Sequence, residues 1–286
     1  MTRKRLAGLA FLGIPTVYLL AFFVLPLLSM AVLSLWRTEN YHIIREASLG
    51  NFATLLTEPA YRTFLMRSVV MALSVSALCI AISWPVAYAI MLYGGRYKLM
   101  FSLALAVPFL TGEVLRVIAL QGLLGPMGII NATLIRMGAA PLRFLMYSNV
   151  ASAVGLVYLY LPISITVIYL SLSNSDARLV DAAKIFGASP VQAFFQVTWP
   201  LNLFGTMIAA VLCFIPCLST TLVPRFLGGP DGTLYGMALS QQFGESGTWA
   251  LGAAMGVVLF AVSIAATALA FRLDLRRTGY SGLGRS

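Results

Sequence analysis

The segment Arg178 to Pro200, RLVDAAKIFGASPVQAFFQVTWP, is the one long amphipathic interruption in an otherwise strongly apolar chain. Ser175 or Asp176 supplies a helix cap, after which Leu179, Val180, Ala183 and Phe186 recur at helical spacing along one face. Gly187 follows the last periodic residue, where a left-handed glycine commonly ends a helix. Ser189 before Pro190 is an N-cap with proline at the first helical position. The pattern predicts a helix, a tight turn and a second helix. Phe186, Phe194, Phe195 and Val197 give the pair an apolar face, while Asp181, Lys184, Gln192 and Gln196 make it too polar to cross a bilayer. An element of this kind lies at a membrane surface or in a partner's groove.

Outward from this segment the chain is hydrophobic. Its 286 residues are 60% hydrophobic and only 10% charged, which places it in the polytopic helical membrane class. A spanning helix needs about 20 apolar residues, and six stretches qualify: roughly 9–35, 64–93, 99–124, 149–172, 201–223 and 248–271. The amphipathic loop, 174–200, separates the fourth from the fifth. Little length remains for a soluble domain, so the expectation is an all-α polytopic membrane protein with a single transmembrane domain over 1–286. The apolar run from Leu6 to Leu28 and beyond is longer than a signal-peptide core of about 7 to 15 residues, and is read as a retained first helix.

The net charge of +10 does not point to nucleic acid, because the basic residues are scattered at span ends. With the N-terminus inside, Arg3, Lys4, Arg5, Arg96, Lys98, Arg178, Lys184, Arg272, Arg276, Arg277 and Arg285 fall on the cytoplasmic side. The opposite side receives Arg37, Arg45, Arg62, Arg67, Arg136, Arg143 and Arg225. The bias predicts both termini, and the amphipathic loop, in the cytoplasm.

Catalytic and metal motifs are missing from the sequence. Cys79, Cys213 and Cys217 lie in apolar stretches far from the single histidine, His42, so they read as packing residues and no metal site is expected. No Gly-x-x-x-x-Gly-Lys-Ser/Thr phosphate loop, Gly-x-Ser-x-Gly elbow or His-Glu-x-x-His pair occurs, so the chain is expected to be no enzyme and to bind no cofactor itself.

The loop resembles that of the permease subunits of ABC importers, whose pattern is Glu-Ala-Ala, three residues, Gly, nine residues, Ile, one residue, Leu-Pro. Asp181, Ala182, Ala183, Gly187, Val197, Trp199 and Pro200 keep every spacing, with Asp for Glu, Val for Ile and Trp for Leu. Further matches resemble the spermidine/putrescine permeases: Pro85-Val86-Ala87-Tyr88-Ala89, Pro108-Phe109 with Arg116, Gly128-Ile129-Ile130-Asn131, Leu161-Pro162, and Leu227-Gly228-Gly229-Pro230. The resemblance implies a type I ABC importer permease fold in the bacterial inner membrane, with a cytoplasmic coupling helix between spans four and five. It implies coupling roles for Asp181, Ala182, Ala183, Gly187, Ser189, Pro190, Val197 and Pro200. Implied partners are a second, different permease subunit, two ATPase subunits that hold ATP and Mg, a periplasmic solute-binding protein and the lipid bilayer. The implied solute is a polyamine, with an opine, an amino-acid derivative, a phosphonate or iron as the alternative.

Candidate pathway residues are Glu113, Arg116, Tyr88, Tyr158 and Tyr160. Glu113 is the one acid well inside a span, where a charge must face protein or water. Arg116, three residues on, offers an ion pair, which is the favoured reading; the competing one has Glu113 attracting an amine in the pathway. The tyrosines offer ring faces to a cation, or simply pack. Gly252 and Gly256 form a small-xxx-small pattern suited to close helix approach. A secondary transporter is the rival class, but it is expected to carry several intramembrane acids and two related halves.

Overall fold

The computed structural model describes residues 13, 15–39 and 41–277. Arg3, Lys4, Arg5, the expected start of the first span at Leu9, and Arg285 lie outside the described residues. The described chain is built from helices α1 (Pro15–Ser34), α2 (Gly50–Thr57), α3 (Pro59–Tyr93), α4 (Lys98–Ala106), α5 (Glu113–Leu124), α6 (Ile129–Arg136) and α7 (Asn149–Asn174). There follow α8 (Ala177–Ile185), α9 (Pro190–Leu201), α10 (Leu203–Ser219), α11 (Leu222–Leu227), α12 (Tyr235–Phe243) and α13 (Trp249–Arg277). Two short antiparallel strands, β1 (Arg37–Glu39) and β2 (His42–Ile44), pair with Arg37 opposite Ile44. Among the described residues five helical stretches are long and apolar enough to span a membrane, and α9 with α10, bent by 64°, makes a sixth.

The third expected span is not one helix. After α4 a 3-10 turn, Val107–Leu110, carries Pro108, and Thr111 and Gly112 are extended before α5 begins at Glu113. Proline removes a backbone donor and the extended pair ends the helical ladder, so the apolar stretch 99–124 divides in two. The fifth expected span, 201–223, is likewise shorter than its composition suggests. It runs from Leu203 to Ser219, and Thr220 is extended before the short α11.

By contacts the described chain forms two compact units. One holds the residues up to Thr63 with Ala238–Val262. Within it Asn51 Nδ2 donates to the carbonyls of Ser34 and Trp36 at 2.8 and 2.7 Å, tying α2 to the end of α1. The amide of Ala250 donates to Thr38 Oγ1 at 3.1 Å, fixing the β1–β2 hairpin to the start of α13. Gly252 and Gly256 face Phe243 and Met30 of this same unit, so the small-residue pattern serves contacts within the chain.

The other unit, Phe64–Met237 with the residues from Ser263 on, is centred on α3, α7 and α10. Ser68, Ala72, Val75, Ser76, Cys79, Ser83, Ala87 and Ile90 are buried along α3 at helical spacing. Small side chains in such a stripe let neighbouring helices approach, which is how apolar helices gain packing in lipid. The three cysteines are buried here as free thiols, and Cys79 and Cys213 Sγ donate to the carbonyls of Val157 and Tyr160, each at 3.9 Å. Asn131, buried, donates to the Gly125 carbonyl at 3.0 Å and accepts from the Leu142 amide at 2.8 Å, holding the polar stretch after α5 onto α6. Trp84, Ala87, Ile90, Ile165, Ile168, Leu172 and Ala209 form a core at the ends of α3 and α7 nearest the amphipathic element.

Candidate functional site

The segment 176–201 folds as the expected helix, turn and helix, α8 and α9, and its ends are set by local chemistry. Asp176 Oδ1 accepts from the Arg178 amide at 3.0 Å and caps α8. At the other end Gly187 has φ +85, its amide donates to the Lys184 carbonyl, and the Ala188 amide donates to the Ala183 carbonyl at 3.0 Å. These two bonds form a Schellman ending, which satisfies carbonyls the helix would otherwise leave bare. Ser189 and Gln192 then make a capping box around Pro190, with bonds of 3.3 and 2.9 Å. The turn is thus held from both sides.

The apolar residues of this element point two ways. Val180, Ala182 and Ala183 are half-buried, whereas Leu179, expected on the inward face, is exposed, and Ile185 and Phe186 are 84% and 91% exposed. Phe186 therefore does not share the inward face that its spacing suggests, because α8 has ended before it and Gly187 redirects the chain. Asp181 and Lys184 form an exposed ion pair at 3.8 Å, a contact of small energetic weight. On α9 the backbone widens to a π-helical turn over Phe194–Thr198. Phe194 turns inward there, with its ring 5.5 Å from Trp84 and 5.3 Å from Tyr88, while Trp199 lies 4.7 Å from Trp84. Phe195 remains exposed; Val197 is half-buried; Pro200 precedes the bend into α10.

Beside this aromatic cluster lies a chain of hydrogen bonds absent from the sequence reading. Trp84 Nε1 donates to Thr206 Oγ1 at 3.2 Å, and Thr206 Oγ1 donates to the Asn202 carbonyl at 2.8 Å. Asn202 Oδ1 accepts from Ser171 and Ser175, both at 2.8 Å, and its Nδ2 donates to the Thr198 carbonyl at 2.8 Å. Ser171 reaches Asn202 because α7 and α10 come close at Gly205, where any Cβ would overlap the Ser171 side chain. The signal was present as an isolated Asn after Trp199-Pro200 and two serines four apart.

The five pathway candidates do not form one cluster. Tyr88 packs on Phe194 beside the amphipathic element, and Tyr158 is exposed on α7. Glu113 and Arg116 act on the Tyr160 hydroxyl only at electrostatic range. The expected ion pair between Glu113 and Arg116 is not formed. Ion pairs do form at Arg37–Glu39 and Lys184–Asp181. Because the span breaks at Gly112, Glu113 is the exposed first residue of α5, where the helix N-terminus itself favours a negative charge. Arg116 Nε is buried without a hydrogen-bond partner among the described residues. No group of three or more His, Cys, Asp or Glu suited to a metal ion occurs among the described residues.

No family model matches the chain. Curated relatives do. It is 31% identical over 245 residues to the spermidine/putrescine transport system permease protein PotB of Haemophilus influenzae, covering 85% of both chains. It is 30% identical to PotB of Escherichia coli K12, covering 74% of this chain and 77% of that one. The inner membrane ABC transporter permease protein YdcU of Escherichia coli is 28% identical over 226 residues. Among solved structures, a bacterial ABC transporter involved in the import of the acidic polysaccharide alginate superposes with a TM-score of 0.73 over 96% of each chain at 15% identity. The same transporter type in complex with an alginate pentasaccharide-bound periplasmic protein gives 0.73 over 98% of each chain at 17% identity. Fold, span pattern and relatives agree: the chain belongs to the PotB family, the permease subunits of spermidine/putrescine-type ABC importers.

Proposed function

We propose that this chain forms the solute path of an ATP-binding-cassette importer for a polyamine, putrescine or spermidine, delivered by a periplasmic binding protein. It sits in the inner membrane with both termini cytoplasmic, as one permease domain over 1–286. A second permease subunit and two ATPase subunits complete the machine, and ATP and Mg bind to the ATPases. This chain carries out no hydrolysis itself. The relatives named for spermidine and putrescine support the solute class.

In this reading Asp181, Ala182, Ala183, Gly187, Ser189, Pro190, Val197 and Pro200 build the element through which ATPase closure reaches the spans. The observation that carries it is the exposure of Ile185 and Phe186 at the tip of a pair of helices locked by a Schellman ending and a capping box. Apolar side chains presented by a rigid polar element suit the groove of a partner protein. Glu113 and Tyr160 line the solute path, the carboxylate drawing an ammonium group toward the break at Gly112.

The test is ATP-driven uptake in vesicles holding this chain with its co-purifying partners. Labelled putrescine or spermidine is expected to enter, and an opine or an amino acid is not. Entry of one of the latter instead keeps the importer and removes the polyamine.

A further inference from the structure

We propose that Asn202 is the positioning residue that carries displacement of α8 and α9 into the spanning helices α3, α7 and α10. This rests on the coupling role given above to α8 and α9 and names the joint through which that role is exerted.

Asn202 is 1% exposed and occupies the 64° bend between α9 and α10. A buried amide in an apolar bundle is costly unless its groups are satisfied, and here its side chain satisfies them on two different elements. Its Oδ1 accepts from Ser171 and Ser175 of the α7 end, and its Nδ2 donates to the Thr198 carbonyl of α9. Its own carbonyl accepts from Thr206 of α10, whose hydroxyl oxygen accepts a hydrogen bond from the Trp84 indole N–H on α3. One residue thereby connects four helices.

The connection also closes the amphipathic element on itself. Ser175 is the last residue before the α8 cap, Asp176, and Asn202 is the first residue after α9. Their 2.8 Å bond ties the entry of the element to its exit, so α8 and α9 move as one body together with the helix ends to which Asn202 binds them.

Proton counting shows how this tie can slip without breaking the network. The Ser175 hydroxyl has one proton and two acceptors in reach, Asn202 Oδ1 at 2.8 Å and the Ser171 carbonyl at 3.0 Å. Turning the intact hydroxyl from one acceptor to the other leaves no buried donor bare, because Ser171 still donates to Asn202. Two arrangements of similar bond content are what a transmitting element requires. Room for the exchange exists in a cavity of ≈ 140 Å³ bounded by Ser175, Asp176, Thr198, Asn202 and Tyr88. The Thr198 hydroxyl is buried there without a partner among the described residues, so a displaced amide finds a second acceptor at hand.

The experiment uses the full complex in proteoliposomes and reads labelled putrescine uptake and ATP hydrolysis together. Asn202→Ala is expected to lower maximal uptake about 10-fold while KM and ATP hydrolysis stay within about 2-fold of the parent, because a lost buried link acts on transmission and not on binding. Ser175→Ala, which spares the other bonds of Asn202, is expected to raise the ATP used per solute about 3-fold and serves if the first variant does not assemble. An unchanged ratio in these variants, whether both rates are normal or both fall together, overturns the proposal. A second readout needs no solute: spin labels at the exposed positions Val191 of α9 and Leu78 of α3. ATP with vanadate should leave their separation unchanged in the parent and alter it in Asn202→Ala; the same response in both overturns the proposal. Gly187→Val is run in parallel. Normal uptake by that variant removes the coupling role itself, whereas its loss beside an unchanged ratio in the Asn202 and Ser175 variants removes only this inference.

Discussion

The indole nitrogen of Trp84 donates to the hydroxyl of Thr206 at 3.2 Å, joining α3 to α10 across 122 positions of sequence. The same ring lies against Phe194 and Trp199 of α9, so one side chain meets both the amphipathic element and the spans. Trp84→Ala is expected to destabilise the purified complex by about 3–5 kcal/mol, since it opens a cavity in a closed core. Trp84→Phe keeps one aromatic ring but loses the hydrogen bond and part of the indole's volume, and is expected to cost less, about 1–3 kcal/mol. Thermal unfolding in detergent separates the two; equal losses would show that the ring packing carries nothing.

Gly187 holds φ +85 at the turn between α8 and α9. A β-branched residue there costs about 1–2 kcal/mol or shifts the turn to a right-handed form. Gly187→Val is therefore expected to abolish ATP-driven uptake while membrane insertion, followed by immunoblot of washed membranes, is unchanged. Normal uptake would remove the coupling role.

Gly205 gives α7 its close approach to α10. Gly205→Ala forces its methyl into Ser171 and is expected to cost about 1–3 kcal/mol. Adding Ser171→Gly clears the space, so the double variant should regain part of that loss in a thermal-melt cycle. Strict additivity would contradict the contact.

Ser189 caps α9 within the box it makes with Gln192. Ser189→Ala is expected to loosen the first turn of α9 by about 1 kcal/mol, read as roughly 5-fold faster amide exchange over 191–193. Exchange at the parent rate would mean that Pro190 alone holds the turn.

Glu113 stands exposed at the first position of α5, where its charge acts on the Tyr160 hydroxyl at electrostatic range. Glu113→Gln is expected to raise the KM for putrescine about 10-fold with assembly intact, as removal of one ammonium partner would. An unchanged KM takes Glu113 out of the pathway.

How much of this was legible in the sequence follows from how local the causes are. The ends of α8 and α9 were, because Asp176, Gly187, Ser189 and Pro190 act on the backbone within a few residues of themselves. The division of the third span was not, since hydropathy averages over the apolar stretch in which Thr111 and Gly112 extend, and Pro108 is its one local mark. That break also puts Glu113 at the exposed start of α5 and not inside a span. The role of Asn202 depends on Ser171, Ser175 and Trp84 arriving from other helices, which no periodicity within its own segment reports. Phe186 has helical spacing with Leu179 and Val180, yet periodicity does not tell which of a helix's last residues the turn will carry outward.

The measurement that tests the central claim most directly is cross-linking from the tip of the amphipathic element. The three native cysteines are buried free thiols, so Phe186→Cys supplies an accessible thiol at a position that is 91% exposed. A bifunctional thiol reagent applied to the assembled complex is expected to join position 186 to the ATPase subunit, and to block uptake when it does. The same reagent with Tyr41→Cys, in the β1–β2 hairpin, should give no such product. No adduct from position 186 in a complex that still transports, or an equal adduct from position 41, would contradict the account.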